Sequence, residues 1–524
     1  MMNTRMHPVR SAVSLSLAAL VAWSVPAFAG DLNPPAGAVV PTMKSLTDVE
    51  PRIAINATNT PGDATNLFRI TQPGSYYLTG NVNGVSGKSG IQITASGVTL
   101  DLGGFALIGV GGTLDGISMS GFRENIVIRN GHVRTWGRHG VTVTMDSGRI
   151  ENIFAVSNGG WGIDNNSGGT FTTYIVGCEA RDNGSAVGLT GGIRAGFTAI
   201  VQGCLARNSI GQGFAAVGNC RFENCSSSFS STDGFNVGVD ATLIGCSVNI
   251  STGGAGISCG ARALIRECSV VSATGDNIVV GASSSVINCV STSSGTGHGI
   301  NANGANCTIE SCTSSLNSQN GIRTADRALI RGCTTGQNGQ DNILLGGAGS
   351  SVINCIANGS TSGHGINASF IQCLVQGCTA TGNALNGINA AQRTEVIDCV
   401  TAGNTQNGIR AAFLGVVRGC FCTGNTVCGI LVDAGGGIDI LNNHCSENGG
   451  SASGAGIRVT SAGCRVDGNT VLSCFRGLDI TAGSNVITRN MVKFNTNANN
   501  IVGGNDAAPF TSAAAMTSPL GNIQ

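Results

Sequence analysis

Carboxylate, imidazole and amide side chains recur along this chain of 524 residues at a spacing of 21–23 residues. The clearest run consists of Asp276, His298, Asn320, Asp341 and His364. If coils of this length stack, Asp276 comes within about one strand spacing, ~4.8 Å, of His298, and Asp341 comes equally close to His364. Because a carboxylate beside an imidazole suits acid–base chemistry, we take these four residues as candidate catalytic residues.

A second polar column lies three residues further along each coil and contains Asn301, Arg323, Asn367 and Arg410. Amides hydrogen-bond sugar hydroxyls, and guanidinium groups pair with uronate carboxylates. Asn301, Asn367 and Arg410 are therefore candidate ligand-binding residues, and Arg323 is a further catalytic candidate. The two columns predict a strip over coils 276–410 that binds or cleaves a saccharide. The alternative is a hydrated solenoid face, which is polar because its side chains point outward.

The element that must position both columns begins at a small residue, usually Gly, followed by an aliphatic residue or Phe. Each such pair of residues is called a mark below. The second members of these marks, mostly 21–23 residues apart, are Ile91, Ile117, Val141, Ile163, Ile193, Phe214, Phe235, Ile257, Ile278, Ile300, Ile322, Ile343, Ile366, Ile388, Ile409, Ile430, Ile457, Leu478 and Ile501. Polar and apolar residues alternate around each mark, which indicates a β-strand. A second short strand follows, as at Val286-Ile287-Asn288, and no helix of about 10–12 residues fits between marks.

Short strands with this period can bury their apolar sides only by stacking each coil on the previous one. The sequence therefore predicts an all-β fold, a single-stranded parallel β-helix of about 19 coils. A larger repeat of 65–66 residues, or three coils, lies over the coil period. It is visible where residues 297–302 recur as 363–368. Duplication of a three-coil block explains this repeat.

The cysteines follow the same period. Of the 21, those that fall 11 or 12 residues after a mark are Cys204, Cys225, Cys246, Cys268, Cys289, Cys312, Cys333, Cys355, Cys378, Cys399 and Cys420. Cys178 and Cys445 extend the column at looser spacing. Stacking predicts one inward line of buried free thiols. The alternative is bridging within the pairs five residues apart, Cys220/Cys225, Cys307/Cys312 and Cys373/Cys378. No cysteine spacing is typical of a zinc finger.

Composition excludes some classes of partner. The 28 Lys+Arg balance the 28 Asp+Glu, and charged residues make up 11% of the chain, against about 25% in an ordinary soluble domain. Lysine occurs only at positions 44, 88 and 493, so there is no basic stripe for nucleic acid. Carboxylates do not cluster as a Ca²⁺ site requires, and we expect no metal or other cofactor.

The N-terminus has the pattern of a secretory signal peptide, with Arg5 and Arg10 before the apolar run 11–23 and a small-x-small cleavage site ending at Ala29. No later segment has the ~18 consecutive apolar residues of a transmembrane helix. We therefore expect a secreted, periplasmic or cell-surface protein. We also expect it to be a monomer. The predicted divisions are 1–29 signal peptide, 30–75 N-terminal cap, 76–503 parallel β-helix and 504–524 C-terminal tail or cap.

The coil length, the Gly-Ile marks and the asparagine corners of residues 75–503 resemble those of secreted right-handed parallel β-helix repeat proteins of the pectin-lyase-like superfamily. The resemblance implies a right-handed helix. It does not specify an activity, because this superfamily contains lyases, hydrolases, binding proteins and proteins without a known reaction.

Two enzyme patterns of that superfamily are incomplete here. Its pectin hydrolases use Asn-Thr-Asp, then Asp-Asp one coil on, Gly-His-Gly a further coil on, and Arg-x-Lys. Ser231-Thr232-Asp233 and Gly297-His298-Gly299 resemble the first and third, but the intervening coil offers Gly254-Ala255 without a carboxylate, and Arg323-Thr324-Ala325 lacks the lysine. The lyases need a calcium-binding carboxylate cluster beside a basic residue, and none flanks Arg323 or Arg410.

Three functional hypotheses follow from the sequence. The favoured one is an exported β-helix protein that binds a polysaccharide or cell-envelope glycan along an elongated polar face. The second is a lyase or glycoside hydrolase that acts on uronate-containing glycans through the Asp276, His298 and Arg323 neighbourhood. The third is a structural or adhesive surface rod.

Overall fold

The fold is described from a computed structural model, which covers residues 50–169, 172–184, 190–450 and 454–524. The chain divides into two units, Met1–Pro51 and Arg52–Gln524, and the description below concerns the second. The predicted signal peptide and its cleavage site at Ala29 lie outside the described residues. No helix in the described part of the chain is long and apolar enough to cross a membrane.

Each typical coil contains three short strands, one more than the sequence predicted. In one coil these are Ile278–Val280, Ser285–Ile287 and Val290–Thr292. Each strand pairs in parallel with the equivalent strand of the next coil, in the register Ile278↔Ile300, Val286↔Ile309 and Ser291↔Ser314. The pairings generate three parallel sheets, here called sheets 1, 2 and 3 in the order in which a coil crosses them. The predicted all-β parallel β-helix is confirmed.

Sheet 1 contains all nineteen sequence marks. Its strands are Asn66–Ile70, Ser89–Ile93, Ile117–Met119, Val141–Val143, Ile163–Asn165, Gly191–Ala195, Gln212–Gly218, Phe235–Val239, Ile257–Cys259, Ile278–Val280, Ile300–Ala302, Ile322–Thr324, Ile343–Leu345, Ile366–Ala368, Ile388–Ala390, Ile409–Ala412, Cys428–Ala434, Ala455–Val459, Leu478–Ile480 and Asn500–Ile501. In a typical strand, Ile322 and Thr324 are buried and Arg323 is partly exposed. The middle residue of each such strand therefore faces outward.

Sheet 2 follows after a turn. Its strands are Ile53–Ala54, Gly74–Tyr77, Val98–Asp101, Val127–Arg134, Arg149–Val156, Tyr174–Val176, Ile200–Gln202, Arg221–Glu223, Thr242–Ile244, Leu264–Arg266, Ser285–Ile287, Thr308–Glu310, Leu329–Arg331, Ser351–Ile353, Leu374–Gln376, Glu395–Ile397, Val416–Arg418, Asp439–Leu441, Arg465–Asp467, Val486–Thr488 and Asp506–Ala507. Here the middle residue faces inward, so the outward positions are the first and third of each strand.

Sheet 3 has the same inward and outward alternation as sheet 2. Val127–Arg134 and Arg149–Val156 run through both sheets. The other strands of sheet 3 are Val82–Asn83, Ala106–Ile108, Glu179–Arg181, Leu205–Arg207, Ser226–Ser230, Ser247–Ser251, Ser269–Ala273, Val290–Thr292, Thr313–Ser315, Thr334–Gly336, Ile356–Asn358, Thr379–Thr381, Val400–Ala402, Phe421–Thr423, His444–Ser446, Thr470–Leu472, Met491–Lys493, Phe510–Thr511 and Asn522–Ile523. Outside the sheets lie the strand pair Arg123–Glu124 with Met145–Asp146 and the 3-10 helix Ala513–Ala515.

In most coils the short link between the strands of sheets 2 and 3 begins with one residue that has a positive φ. Examples are Asn288 at φ 53°, Asp398 at φ 53° and Gly332 at φ 61°. This left-handed conformation suits Gly, Asn and Asp, and it turns the chain sharply within one residue. The next residue is the column cysteine, such as Cys289, which points inward.

The thiol column is confirmed in its main run and corrected at its C-terminal end. All 21 cysteines are buried and unpaired, including the pairs five residues apart. Column sulfurs accept hydrogen bonds from backbone N–H groups of the preceding coil. For example, the backbone N–H of Cys333 donates to Cys355 Sγ at 3.4 Å. After Cys420 the column continues with Asn443, whose Oδ1 accepts the Cys420 N–H at 2.9 Å. Cys445 lies instead in sheet 3, opposite Cys422.

A second buried ladder of asparagines lines the turn after sheet 3. Asn383 donates both its backbone N–H and its Nδ2 to Asn404 Oδ1, at 3.0 and 2.9 Å. Asn404 and Asn425 repeat the pattern toward Asn425 and Asn448. Gly382 and Gly403, the residues before two of these asparagines, take positive φ, and the asparagines satisfy buried backbone groups.

Pairing also extends beyond the predicted limits of the β-helix at both ends. Asn66–Ile70, inside the predicted cap 30–75, already pairs with Ser89–Ile93. In the predicted tail 504–524, Asp506–Ala507 joins sheet 2 and Asn522–Ile523 joins sheet 3. Both terminal segments thus contribute strands to the sheets.

The alternation of inward and outward side chains predicts that truncating two neighbours in the strand Leu329–Arg331 costs unequal amounts of stability. Ile330 is fully buried and Leu329 partly exposed. We expect Ile330→Ala to lower the free energy of unfolding by about 2–5 kcal/mol, because it opens a cavity in the core. The matched variant Leu329→Ala should cost about 1 kcal/mol or less. Denaturant unfolding measures both, and equal losses would contradict this orientation.

Candidate functional site

The candidate catalytic column lies at the turn that leads into sheet 1. Its side chains accept hydrogen bonds from backbone N–H groups instead of pointing freely into solvent. Asp276 Oδ1 accepts the N–H of His298 at 2.6 Å. His298 Nδ1 accepts the N–H of Asn320 at 3.2 Å, and Asn320 Oδ1 accepts the N–H of Asp341 at 2.9 Å. Each residue therefore satisfies the backbone of the same position one coil further on.

The ladder continues through the next block of coils. Asp341 Oδ1 accepts the N–H of His364 at 2.7 Å, and His364 Nδ1 accepts the N–H of Asn386 at 3.2 Å. Asn386 Oδ1 then accepts both the N–H and the Nδ2 of Asn407, at 3.2 and 2.9 Å. The sequence predicted the neighbours within this column correctly, but their contacts are those of a structural ladder.

The candidate ligand-binding column runs along the outer face of sheet 1, next to this ladder. In the first cluster, Asn301 Nδ2 donates to Asp276 Oδ2 at 2.7 Å. Arg323 Nη1 in turn donates to Asn301 Oδ1 at 3.3 Å. Asn301 is buried, whereas the Arg323 side chain is partly exposed. Among the described residues Arg323 has no ion-pair partner, so it keeps donors for a ligand.

A second cluster repeats this arrangement three coils further on. Asn367 Nδ2 donates to Asp341 Oδ2 at 2.8 Å, and Asn389 Nδ2 donates to Asn367 Oδ1 at 3.0 Å. Arg410 Nη1 donates to Asn389 Oδ1 at 3.1 Å, and its Nε donates to Asp433 Oδ2 at 2.7 Å.

The two clusters are separate, because the outward position between them is occupied by an aliphatic side chain. Leu344 pairs with Arg323 on one side and with Asn367 on the other. The predicted polar strip is therefore two polar clusters separated by Leu344. Asp433 was missed by the sequence analysis. The only signal for it is the long coil step from Ile430 to Ile457, which accompanies the extended strand Cys428–Ala434.

The protonation state of the two histidines follows from the ladder. Because Nδ1 accepts a backbone N–H, the neutral ring of His298 or His364 carries its proton on Nε2. Burial lowers the pKa of His298; the Asp276 carboxylate opposes this shift and Arg323 adds to it. Burial likewise lowers the pKa of His364. The Asp341 carboxylate opposes this shift, and the Arg410 guanidinium adds to it. Both imidazoles are therefore neutral hydrogen-bond donors near neutral pH.

These positions do not suit a pair of catalytic carboxylates. Asp276 and Asp341 stand three coils apart, about 14 Å at ~4.8 Å per coil. The two carboxyl groups of glycosidases are separated by about 5–10 Å. A histidine that acts as acid and base must also exchange a proton, and the Nδ1 lone pair of each ring is already engaged. Within the described ranges no group of three or more His, Cys, Asp or Glu residues could hold a metal ion.

No protein-family model matches the chain, and no curated protein matches its sequence. Solved structures do match. The A-module of the Azotobacter vinelandii mannuronan C-5 epimerase AlgE6 is 15% identical over 68% of this chain and 90% of its own, with a TM-score of 0.33. The periplasmic alginate epimerase AlgG is 11% identical over 83% and 84%, with a TM-score of 0.28. Pectate lyase Pel9A is 15% identical over 55% and 68%, with a TM-score of 0.22. At these values the similarity assigns neither a substrate nor a reaction.

The ladder predicts different consequences of two substitutions at Asp341. Asp341→Ala removes the acceptor for the His364 N–H, and we expect it to lower the free energy of unfolding by about 1–3 kcal/mol. Asp341→Asn keeps an amide oxygen for the His364 N–H, as Asn320 does in the same column, but sets an NH2 group against Asn367 Nδ2. It should therefore be less stable than the wild type and more stable than Asp341→Ala. Denaturant unfolding compares the two. If Asn destabilised as much as Ala, the acceptor role would be wrong.

The histidines predict a pH dependence of stability. Their pKa values in the folded protein lie below the ordinary 6.5, so folding favours the neutral ring. The stabilisation is fully present above about pH 6.5 and is lost as the pH falls through the lowered pKa values. The double variant His298→Asn/His364→Asn should therefore lose less stability than the wild type between about pH 7.5 and pH 5. Urea unfolding at both pH values tests this, and an unchanged pH slope would contradict it.

Proposed function

We propose that this protein binds an extended, uronate-containing polysaccharide along the outer face of sheet 1. The observation that carries the proposal is the placement of Arg323 and Arg410 in one outward column, each oriented by an amide of the preceding coil. Arg323 contributes a guanidinium without an ion-pair partner among the described residues. A guanidinium held in this way suits a carboxylate, with which it can form two parallel hydrogen bonds.

The geometry of the column supports a polymer rather than a small molecule. Arg323 and Arg410 are four coils apart, about 19 Å at ~4.8 Å per coil. A ligand that contacts both must be elongated along the helix axis and carry a negative charge at more than one point. Asn367 and Asn389 lie between them on the same face, and their amides can bind sugar hydroxyls. A polyuronate chain has this repeating combination of carboxylate and hydroxyl groups.

Binding without acid–base chemistry is the function that the contacts support best. His298, His364, Asp276 and Asp341 stabilise the turns into sheet 1, and the second hypothesis of a lyase or hydrolase depended on these same residues. We propose that binding takes place outside the cytoplasm, because the sequence predicts a secretory signal that ends at Ala29. On this proposal the protein holds a glycan in the periplasm, at the cell surface or in the medium.

The proposal predicts that the two arginines control affinity for polyuronates. Affinity electrophoresis of the full chain in gels with polygalacturonate or alginate should show retardation. The double variant Arg323→Ala/Arg410→Ala should weaken this binding by about tenfold or more, which corresponds to about 1.4 kcal/mol. The loss should also depend on salt, because the contacts are ionic.

Arg331→Ala is the matched control. Arg331 is more exposed than either of them and lies on sheet 2, where it pairs with Glu310 at 2.9 Å. This variant should bind polyuronates as the wild type does. The proposal is wrong if the wild type binds neither polymer, or if the double variant binds as tightly as Arg331→Ala.

A further inference from the structure

We propose that the outer face of sheet 3 is a second binding surface, and that it takes an uncharged, extended polysaccharide. This inference goes beyond the proposed function, because it concerns another sheet and another class of glycan. It does not depend on Arg323 or Arg410.

The first observation is the absence of charge over a long stretch of sheet 3. No Asp, Glu, Lys or Arg occurs in any of its strands from Ser226–Ser230 to His444–Ser446. In the same coils the outer face of sheet 2 carries several charges, among them Arg266, Glu310 and Arg331. Solvent exposure alone therefore does not explain the composition of sheet 3, since both sheets face water.

The second observation is the mixture of aliphatic and hydroxyl groups on this face. The first outward column contains the exposed side chains of Val290, Ile356, Val400 and Phe421, with relative exposures of 38–43%. Threonines are interspersed among them in the same column, at positions 313, 334 and 379.

The second outward column is mostly hydroxyl and amide. Its side chains are hydrogen-bonded to one another, as where Thr381 donates to Asn358 Oδ1 at 2.7 Å and Ser446 donates to Thr423 Oγ1 at 3.2 Å. These contacts hold the polar groups in a fixed array with the repeat of the coils. An ordered array loses little side-chain entropy when a ligand binds.

The third observation is a shallow depression of about 350 Å³ in the middle of this face. It is lined by residues that include Thr313, Thr334, Gly336 and Asn358. Gly336 creates the notch, because it stands in the second column where its neighbours have side chains. A Cβ at Gly336 would meet only the carbonyl oxygen of Asn358, at 3.3 Å.

An aromatic platform lies further along the same face. The rings of Phe421 and His444, on adjacent strands, stack with centroids 4.8 Å apart and an interplanar angle of 11°. Phe421 is 41% exposed. Flat aromatic surfaces of this kind pack against apolar faces of a ligand while a polar edge remains in water.

These observations together favour an uncharged polysaccharide. A nucleic acid, an acidic glycan or an anionic lipid surface would find no Lys or Arg on the strands of this stretch, from Ser226–Ser230 to His444–Ser446. The core of a stable protein interface is depleted of Ser and enriched in aromatic residues and Met, whereas here Ser and Thr hydroxyl groups are interspersed among the aliphatic side chains. A neutral sugar chain presents a similar mixture, with C–H faces and hydroxyl edges on its rings, and it can follow the helix axis.

The test is sedimentation of the full chain with particulate cellulose, chitin and curdlan, the probes for an uncharged glycan. We expect the wild type to bind at least one of them. Thr334→Lys/Thr379→Lys, which adds charge at two outward positions, and Phe421→Ala should each weaken that binding by about tenfold or more. Thr308→Lys, at an outward position of sheet 2, should bind as the wild type does. Circular dichroism and the melting temperature establish that each variant is folded.

The outcomes separate this inference from the proposed function. The sheet 3 variants should keep polyuronate binding, and Arg323→Ala/Arg410→Ala should keep binding to the particulate glycan. Absence of wild-type binding to all three polymers would overturn the inference, and so would unchanged binding by Thr334→Lys/Thr379→Lys and Phe421→Ala. Self-association of the wild type that Thr334→Lys/Thr379→Lys abolishes, without polymer binding, would make the face a contact between copies and also overturn it.

Discussion

The structure depends on one requirement, that the backbone of every coil finds its hydrogen-bond partners in the next coil. Within the three sheets the strands meet this requirement directly, in a register that repeats through the described coils. At the turns the backbone N–H groups are buried without a strand partner, and such groups are costly unless they are satisfied. Side chains from an adjacent coil supply the acceptors: the sulfur of Cys355 and the amide of Asn404 come from the next coil, and the carboxylate of Asp276 comes from the preceding one.

This requirement explains why residues that resemble catalytic groups serve the fold. The position before each sheet 1 strand needs an acceptor of moderate length, and Asp, His and Asn all provide one. The three-coil duplication then copied the set, so that Asp276 and His298 recur as Asp341 and His364. What remains for a ligand is the adjacent outward column, where side chains such as Arg323 are oriented by the ladder but still have free donors.

The repeat itself could be predicted from the sequence, because the marks follow one period from Ile91 to Ile501 and the main thiol column follows the same period from Cys204 to Cys420. The third strand could not be predicted, since only two residues, Asn288 and Cys289, separate the strand Ser285–Ile287 from the strand Val290–Thr292. Cys445 was misplaced because the sequence analysis treated the column as apolar packing. The column requires an acceptor, so Asn443 continues it. The contacts of Asp276 and His298 depend on which atom meets which backbone group, and spacing does not contain that information.

The buried thiols set an order of events for the folding of the chain. In the finished coil stack every cysteine is shielded from solvent, so a dissolved oxidant does not reach the sulfurs. At Cys259 burial also raises the pKa to about 12, which makes the reactive thiolate form of that residue scarce. The unfolded chain has no such protection, and any two of its 21 sulfurs that met an oxidant could become linked. A wrong crosslink would keep neighbouring coils out of register. Closure of successive coils therefore removes the sulfurs from the reach of an oxidant.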